Sequence, residues 1–185
     1  MRCILCFSFS IEIICKKCQN SFLKPTLNRR KLFENFYVYS FYRYSEIEKL
    51  IKTKHTFIGS FIYKILAKNS FYQFSKEFNQ KAYIVPIEKK DKDYYSHTAI
   101  LANSMQNRYL KPLYNCLVSQ NRVSYSTKNY EFRLKNPRDF TYTGPAFVDL
   151  IIVDDIVTTG LTLKEAYLTI KQKADPLFAL VLADV

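Results

Sequence analysis

The stretch VDLIIVDDIVTTGLTLKEAY, Val148 to Tyr167, decides how this chain is read. Leu150 to Val153 is an unbroken apolar run rich in β-branched side chains, the pattern of a strand covered on both faces. Two carboxylates follow, Asp154 and Asp155, and then a turn through Thr158, Thr159 and Gly160. The chain has only three glycines, so one placed here marks a position that needs positive φ or a close backbone approach. Thr162 and Glu165 have the spacing of a capping box, which predicts a helix starting at Thr162. Leu163, Ala166, Tyr167 and Ile170 would form its apolar face.

Moving outward, AYIVPI (82–87), LYNCLV (113–118) and LFALVLADV (177–185) read as further strands. Helices are expected from Ser96 to about Leu110 and from Thr162 to about Ala174. Strand–helix–strand alternation with Val/Ile/Leu-rich strands predicts an α/β fold, a parallel sheet flanked by helices. In such sheets ligands sit beyond the carboxyl ends of strands, where Asp154 and Asp155 fall. The amides of Thr158, Thr159, Gly160, Leu161 and Thr162 would open at a helix N-terminus, which suits a phosphate. Two acids repel phosphate but can accept hydrogen bonds from sugar hydroxyls or orient hydrated Mg²⁺. Together these groups describe a cradle for ribose 5-phosphate.

Before this region, FYVYSFYRY (36–44) reads as a strand or hairpin, and Ser45 can cap a short helix over EIEKLIKTK. Residues from Thr56 to about Phe78 read as one amphipathic helix, its aromatic stripe (Phe57, Phe61) read as core. The segment from Ser119 to Phe147 is long for a loop and basic, which marks a lid or a disordered segment. Cys116, inside LYNCLV, reads as a small buried hydrophobe.

Four of the five cysteines lie at the start, as Cys3-x2-Cys6 and Cys15-x2-Cys18. Two C-x-x-C turns present the four thiolates that tetrahedral zinc takes, with no open position for catalysis. Disulfides or a redox pair are the competing readings. The domain reading is a zinc knuckle at 1–24, a linker and hood or helical segment at 25–80, and a core at 81–185. The opening MRCILCFSFSIEIICKKC is interrupted by Glu12 and lacks a small-x-small cleavage site, so a cytoplasmic location is expected.

The formal charge is +12, unevenly spread: residues 1–140 hold 25 Lys/Arg against 10 Asp/Glu, and residues 141–185 hold 3 against 6. A basic body favours a polyanionic partner such as nucleic acid; the alternative is lysine that only solvates the surface.

LIIVDDIVTTGLT (150–162) resembles the phosphoribosyl pyrophosphate (PRPP) motif of type I phosphoribosyltransferases. With the paired-Cys element, IVPI and YSHTAILA, nearly the whole chain resembles the ComF family, whose members include a competence protein implicated in DNA uptake. This resemblance implies a five-stranded parallel core with a small hood, Mg²⁺-dependent PRPP binding and binding of single-stranded DNA, with a DNA-uptake helicase as a partner. It also implies that Asp154 and Asp155 contact ribose hydroxyls and that residues 158–162 contact the 5′-phosphate. Arg122, Arg133, Lys135 and Arg138 of the long loop would close over the site or meet DNA phosphates, with Tyr125, Tyr130 and Phe140 able to stack on bases.

Two positions depart from the family pattern. Thr158 stands where purine-salvage relatives place an Asp. Asp93 and Tyr94 stand where an Arg-Gly pair precedes the pyrophosphate loop; Lys89, Lys90 and Lys92 keep that loop positive. His97 reads as a first-turn helix residue after the Ser96 cap, the alternative being a donor to pyrophosphate or a base. Two alternatives stay open: an active phosphoribosyltransferase of nucleotide or cofactor metabolism, and a zinc-dependent nucleic-acid adaptor with a vestigial ribose site.

Overall fold

The structure is a computed structural model that describes residues 1–89, 95–121 and 130–185; for Lys89, Tyr130, Arg133 and Leu134 it describes the backbone only. Along the chain run α1 (Lys16–Phe22), β1 (Asn28–Phe33), β2 (Phe36–Arg43), α2 (Tyr44–Ile51), a 3-10 turn (Lys52–His55), α3 (Gly59–Asn69), α4 (Phe71–Glu77), β3 (Ala82–Pro86) and β4 (Glu88–Lys89). There follow α5 (His97–Ser104), β5 (Leu110–Pro112), β6 (Leu117–Ser119), α6 (Tyr130–Lys135), β7 (Phe140–Tyr142), β8 (Asp149–Val157), α7 (Leu161–Lys171) and β9 (Asp175–Asp184).

The main sheet has the order β1-β2-β9-β8-β3-β5. Five strands, β2 through β5 in that order, are mutually parallel, and β1 is an antiparallel edge strand folded back on β2. On β8, Ile151 and Val153 enter one core with Ile47, Ile62, Leu66 and Leu101 from α2, α3 and α5. Leu150 and Ile152 enter a second core with Leu163, Ala166 and Ile170 of α7. Both faces of the strand are covered, which is why its apolar run has no polar alternation. Truncating Ile151 or Ile152 to Ala would cost about 2–5 kcal/mol.

The connections fix where a ligand can enter. From β3 the chain passes through α5 to β5 on one side; from β8 it passes through α7 to β9 on the other. Adjacent β3 and β8 are therefore the switch point, with a crevice between their carboxyl ends. β3 pairs with β8 only as far as Pro86 opposite Val153, so Asp154 to Val157 run past its end.

Several elements differ from the sequence reading. Residues 25–80, read as linker and hood, place β1 and β2 in the main sheet, because the β-branched and aromatic side chains of β2 bury against β9. A second, three-stranded sheet, β4-β6-β7, comes instead from residues 88–142. The helix expected over 56–78 is two helices broken at Ser70, whose hydroxyl bonds back to Leu66 O at 2.7 Å. Its buried face is Ile62, Tyr63, Leu66 and Ala67; Phe57 and Phe61 lie outside, 85% and 47% exposed. LYNCLV is not one strand, because Asn115 takes positive φ (57°) between β5 and β6. Cys116 is half-buried there, its thiol donating to Tyr114 O at 3.4 Å.

Candidate functional site

Strand β8 carries the two acids. Successive side chains on a strand point to opposite faces, and their surroundings bear this out. Asp155 lies on the α3/α5 side, 7% exposed. Its Oδ2 accepts from Lys54 Nζ at 2.9 Å and from Tyr63 OH at 3.3 Å, and His97 Nε2 stands 3.4 Å away. Asp154 lies on the other face, half-buried, within range of the Arg138 charge, and its Oδ1 accepts from the Asp155 amide at 2.8 Å. The two acids leave β8 on opposite faces, yet their carboxyl groups are hydrogen-bonded to each other at the end of the strand.

Their acidities separate accordingly. Burial, reinforced by the adjacent Asp155 charge, pushes the Asp154 carboxyl up to about 8. Burial opposes ionisation of Asp155 too, but His97 and Lys54 outweigh it and hold this carboxyl well below the usual range. Burial thus favours the proton on Asp154, while the His97 and Lys54 charges favour the ionised form of Asp155.

The turn after β8 is built as the composition requires. Gly160 has φ 79°, and a Cβ there would meet Leu32 Cδ2 at 2.8 Å. Helix α7 starts at Leu161, one residue earlier than expected, with Gly160 as its N-cap. The capping box does not form: Glu165 accepts instead from the amides of Arg138 (2.8 Å) and Asp139 (2.6 Å), since this carboxylate gains two donors by turning to the β7 approach. The first-turn amides of α7 therefore have no side-chain cap. Thr159 is exposed, Thr158, Leu161 and Thr162 are half-buried and Gly160 is buried beneath Leu32, so the turn is open to solvent on one side only. Arg30 of β1 braces it, with Nη2 donating to Thr158 O at 2.8 Å and lying 2.9 Å from Asp184 Oδ1 as an ion pair.

His97 is more than the helix-start residue the sequence indicated. It follows the Ser96 cap, whose Oγ accepts from the Ala99 amide at 3.2 Å, and this places its ring at Asp155 and edge-on to Tyr63. Lys54, Tyr63 and Arg30 were missed altogether. They lie 101, 92 and 128 residues from their partners in the β8 segment, and no local pattern signals such contacts. Of the loop residues, Arg138 faces Asp154 and Lys135 is exposed. Arg122, Tyr125, Lys90, Lys92, Asp93 and Tyr94 lie outside the described residues, as do the side chains of Lys89, Tyr130 and Arg133.

Mg²⁺ requires a near-octahedral oxygen shell at about 2.0–2.1 Å. Asp155 Oδ2 carries an ammonium and a phenol instead, and the Asp154 carboxyl is bonded to the Asp155 amide and side chain. This donor set does not fit a directly bound Mg²⁺.

The Cys3, Cys6, Cys15 and Cys18 sulfurs lie within 4.8 Å of one another and could hold a metal ion such as zinc. Amides of Cys15 and Cys18 donate to the sulfurs of Cys3 (3.3 Å) and Cys15 (3.4 Å), setting the loops for thiolate ligands. Burial and the neighbouring sulfurs push the Cys18 thiol up to about 12. A divalent cation turns that mutual repulsion into coordination. Cys3, Ile14, Cys18 and Leu23 belong to the first core, so the knuckle is packed onto the sheet's helical face.

No family model and no curated protein matches the sequence. Among solved structures, a hypoxanthine phosphoribosyltransferase from Staphylococcus aureus is similar at 15% identity and TM-score 0.41, over 66% of this chain and 62% of that one. The chain thus spans less than two thirds of that enzyme's length. An adenine phosphoribosyltransferase is similar at 17% identity and TM-score 0.42, over 91% and 89%. A third, the Saccharomyces cerevisiae adenine phosphoribosyltransferase complexed with an imino-altritol bisphosphate and adenine, gives 17%, 0.40, 86% and 84%. These likenesses concern the path of the chain, a mostly parallel α/β sheet flanked by helices, and carry no information on ligand.

Proposed function

We propose that this chain binds PRPP or a related ribose 5-phosphate ligand in the crevice between β3 and β8. The 5′-phosphate meets the amides of residues 158–162, and the hydrogen-bonded carboxyl groups of Asp154 and Asp155 take ribose hydroxyls at the end of β8. The observation that carries the reading is the turn itself: positive φ at Gly160 and an uncapped α7, at the switch point of the sheet. Such a helix start favours an anion by alignment of its amides and dipole. Asp155 does not coordinate Mg²⁺ directly in this reading, for the reason given above.

The wider role is that of a ComF-like cytoplasmic protein serving DNA uptake with a helicase partner. Its basic body, 25 Lys/Arg against 10 Asp/Glu over residues 1–140, supports a single-stranded DNA partner. The alternative, a phosphoribosyltransferase of nucleotide or cofactor metabolism, differs in one measurable respect, pyrophosphate release from PRPP in the presence of an acceptor.

The test of the ligand site is thermal unfolding with PRPP. A ligand at a hundred times its Kd stabilises the folded state by about 2.7 kcal/mol, so Tm rises. Asp154→Asn, which keeps the shape of this side chain, is expected to fold and to bind several-fold more weakly. Unmoved Tm with PRPP and with ribose 5-phosphate removes the reading.

A further inference from the structure

Lys54 has no place in the site as the motif describes it, yet it makes the shortest side-chain contact to Asp155, at 2.9 Å. It sits in the 3-10 turn after α2, far from β8 in sequence, and the turn is fixed in place. Thr53 Oγ1 bonds Leu50 O at 2.6 Å, the Thr56 amide bonds Thr53 O at 2.8 Å, and the Gly59 amide bonds Thr56 O at 3.0 Å. Gly59 is required for this packing, because a Cβ there would collide with the Thr53 carbonyl and the Tyr95 hydroxyl. The ammonium therefore reaches Asp155 from a rigid support. An ammonium has three N–H donors; one is aimed at Asp155, and the side chain is 23% exposed, as is that of His97.

Charge makes the position informative. A carboxylate at the floor of an anion site repels the ligand unless a cation stands beside it. In metal-assisted sites that cation is a divalent ion; here the same carboxylate oxygen is taken by a lysine. We propose that Lys54 is the resident cation of this site, bridging Asp155 to the anionic substituent of the bound sugar, so that ligand binding proceeds without Mg²⁺. This rests on the reading of residues 154–162 as a phosphoribosyl site. Lys54 acts as a binding and positioning residue: it neutralises Asp155 in the free protein and offers its remaining donors to a phosphate or pyrophosphate oxygen.

The experiment is calorimetric titration of PRPP into the full chain in buffer freed of metal by resin, with and without added Mg²⁺. Chelators are left out because they would draw metal from the cysteine cluster. Wild type is expected to bind with less than about a twofold difference between the two buffers, where a tenfold change would correspond to about 1.4 kcal/mol. Lys54→Gln is expected to bind about tenfold more weakly without Mg²⁺ and to recover when Mg²⁺ is added, while Lys54→Arg retains metal-free binding. Wild-type binding that appears only with Mg²⁺ overturns the role of Lys54 and leaves the ligand site standing. Metal-free binding equally tight in Lys54→Gln overturns it too. Absence of binding in both buffers overturns the site and this inference together. Should Lys54→Gln fail to fold, the two-buffer comparison on wild type and on Lys54→Arg still decides.

Discussion

Asp154 and Asp155 show how far two identical side chains are separated by one step along a strand. The sequence pattern placed both at the carboxyl end of β8, but it could not say that their surroundings differ, since that depends on what packs against each face. β8 continues to Val157, and so the alternation that governs Ile151 and Ile152 also governs the acids. The separation has a pH signature. In the unfolded chain Asp154 ionises near pH 4; folded, its carboxyl is pushed up to about 8. Its contribution to stability is full below about pH 4 and is lost as pH rises towards about 8, because unfolding releases its proton. Asp155, held low, contributes in the opposite sense, with stability lost as pH falls through the acid range. Asp154→Asn is therefore expected to flatten the decline of Tm between about pH 5 and about pH 8. Wild-type and mutant profiles running parallel through that window would exclude a protonated Asp154.

The strand, turn and helix from 149 to 171 form the element most legible in advance. Apolar continuity predicted β8, and the rare glycine predicted the turn. The capping box misled, because Thr162 and Glu165 have the right spacing but the glutamate finds two better-placed amides at Arg138 and Asp139. Local pattern fixes a propensity; competition for a carboxylate is settled by tertiary neighbours. The hairpin β1–β2 makes the same point, since it lays Leu32 over Gly160 and brings Arg30 to Thr158. Gly160→Ala is expected to destabilise by about 1–2 kcal/mol for the left-handed backbone alone, and further where its methyl meets Leu32. Denaturant unfolding measures this. A companion change, Leu32→Ala, makes room for the methyl, so the double mutant should lose less than the sum of the single changes. Strict additivity would show that the two residues do not touch.

At the scale of the whole molecule, the α/β class and the parallel strands were readable because fully covered strands have a distinctive composition. The strand order was not, since β2 reaches β9 and Lys54 reaches Asp155 only in three dimensions. The cysteine cluster was readable from spacing alone, and the structure adds that Cys3 and Cys18 are part of the core rather than of a tethered appendage. Metal removal should therefore lower the stability of the entire chain and not merely loosen its start. Among the described residues no helix is long and apolar enough to cross a membrane. The uneven charge can be tested by oligonucleotide binding across a salt series. The logarithm of affinity should fall steeply and linearly with the logarithm of salt concentration for a single strand, and treatment with a chelator should weaken binding along with Tm. Affinity indifferent to salt would leave the lysines as surface solvation only.

The position of β9 has a consequence for how the polypeptide matures. This strand lies third among six yet is the last of them to be synthesised, and it joins β2 to β8. Until residues 175–184 leave the ribosome, the hairpin and the other half of the sheet have no common partner, and each exposes an open apolar edge. Closure of the sheet is thus a late, long-range event of the kind that slows folding and invites association between nascent chains. A cell making this protein has reason to shield it from its neighbours until β9 has emerged.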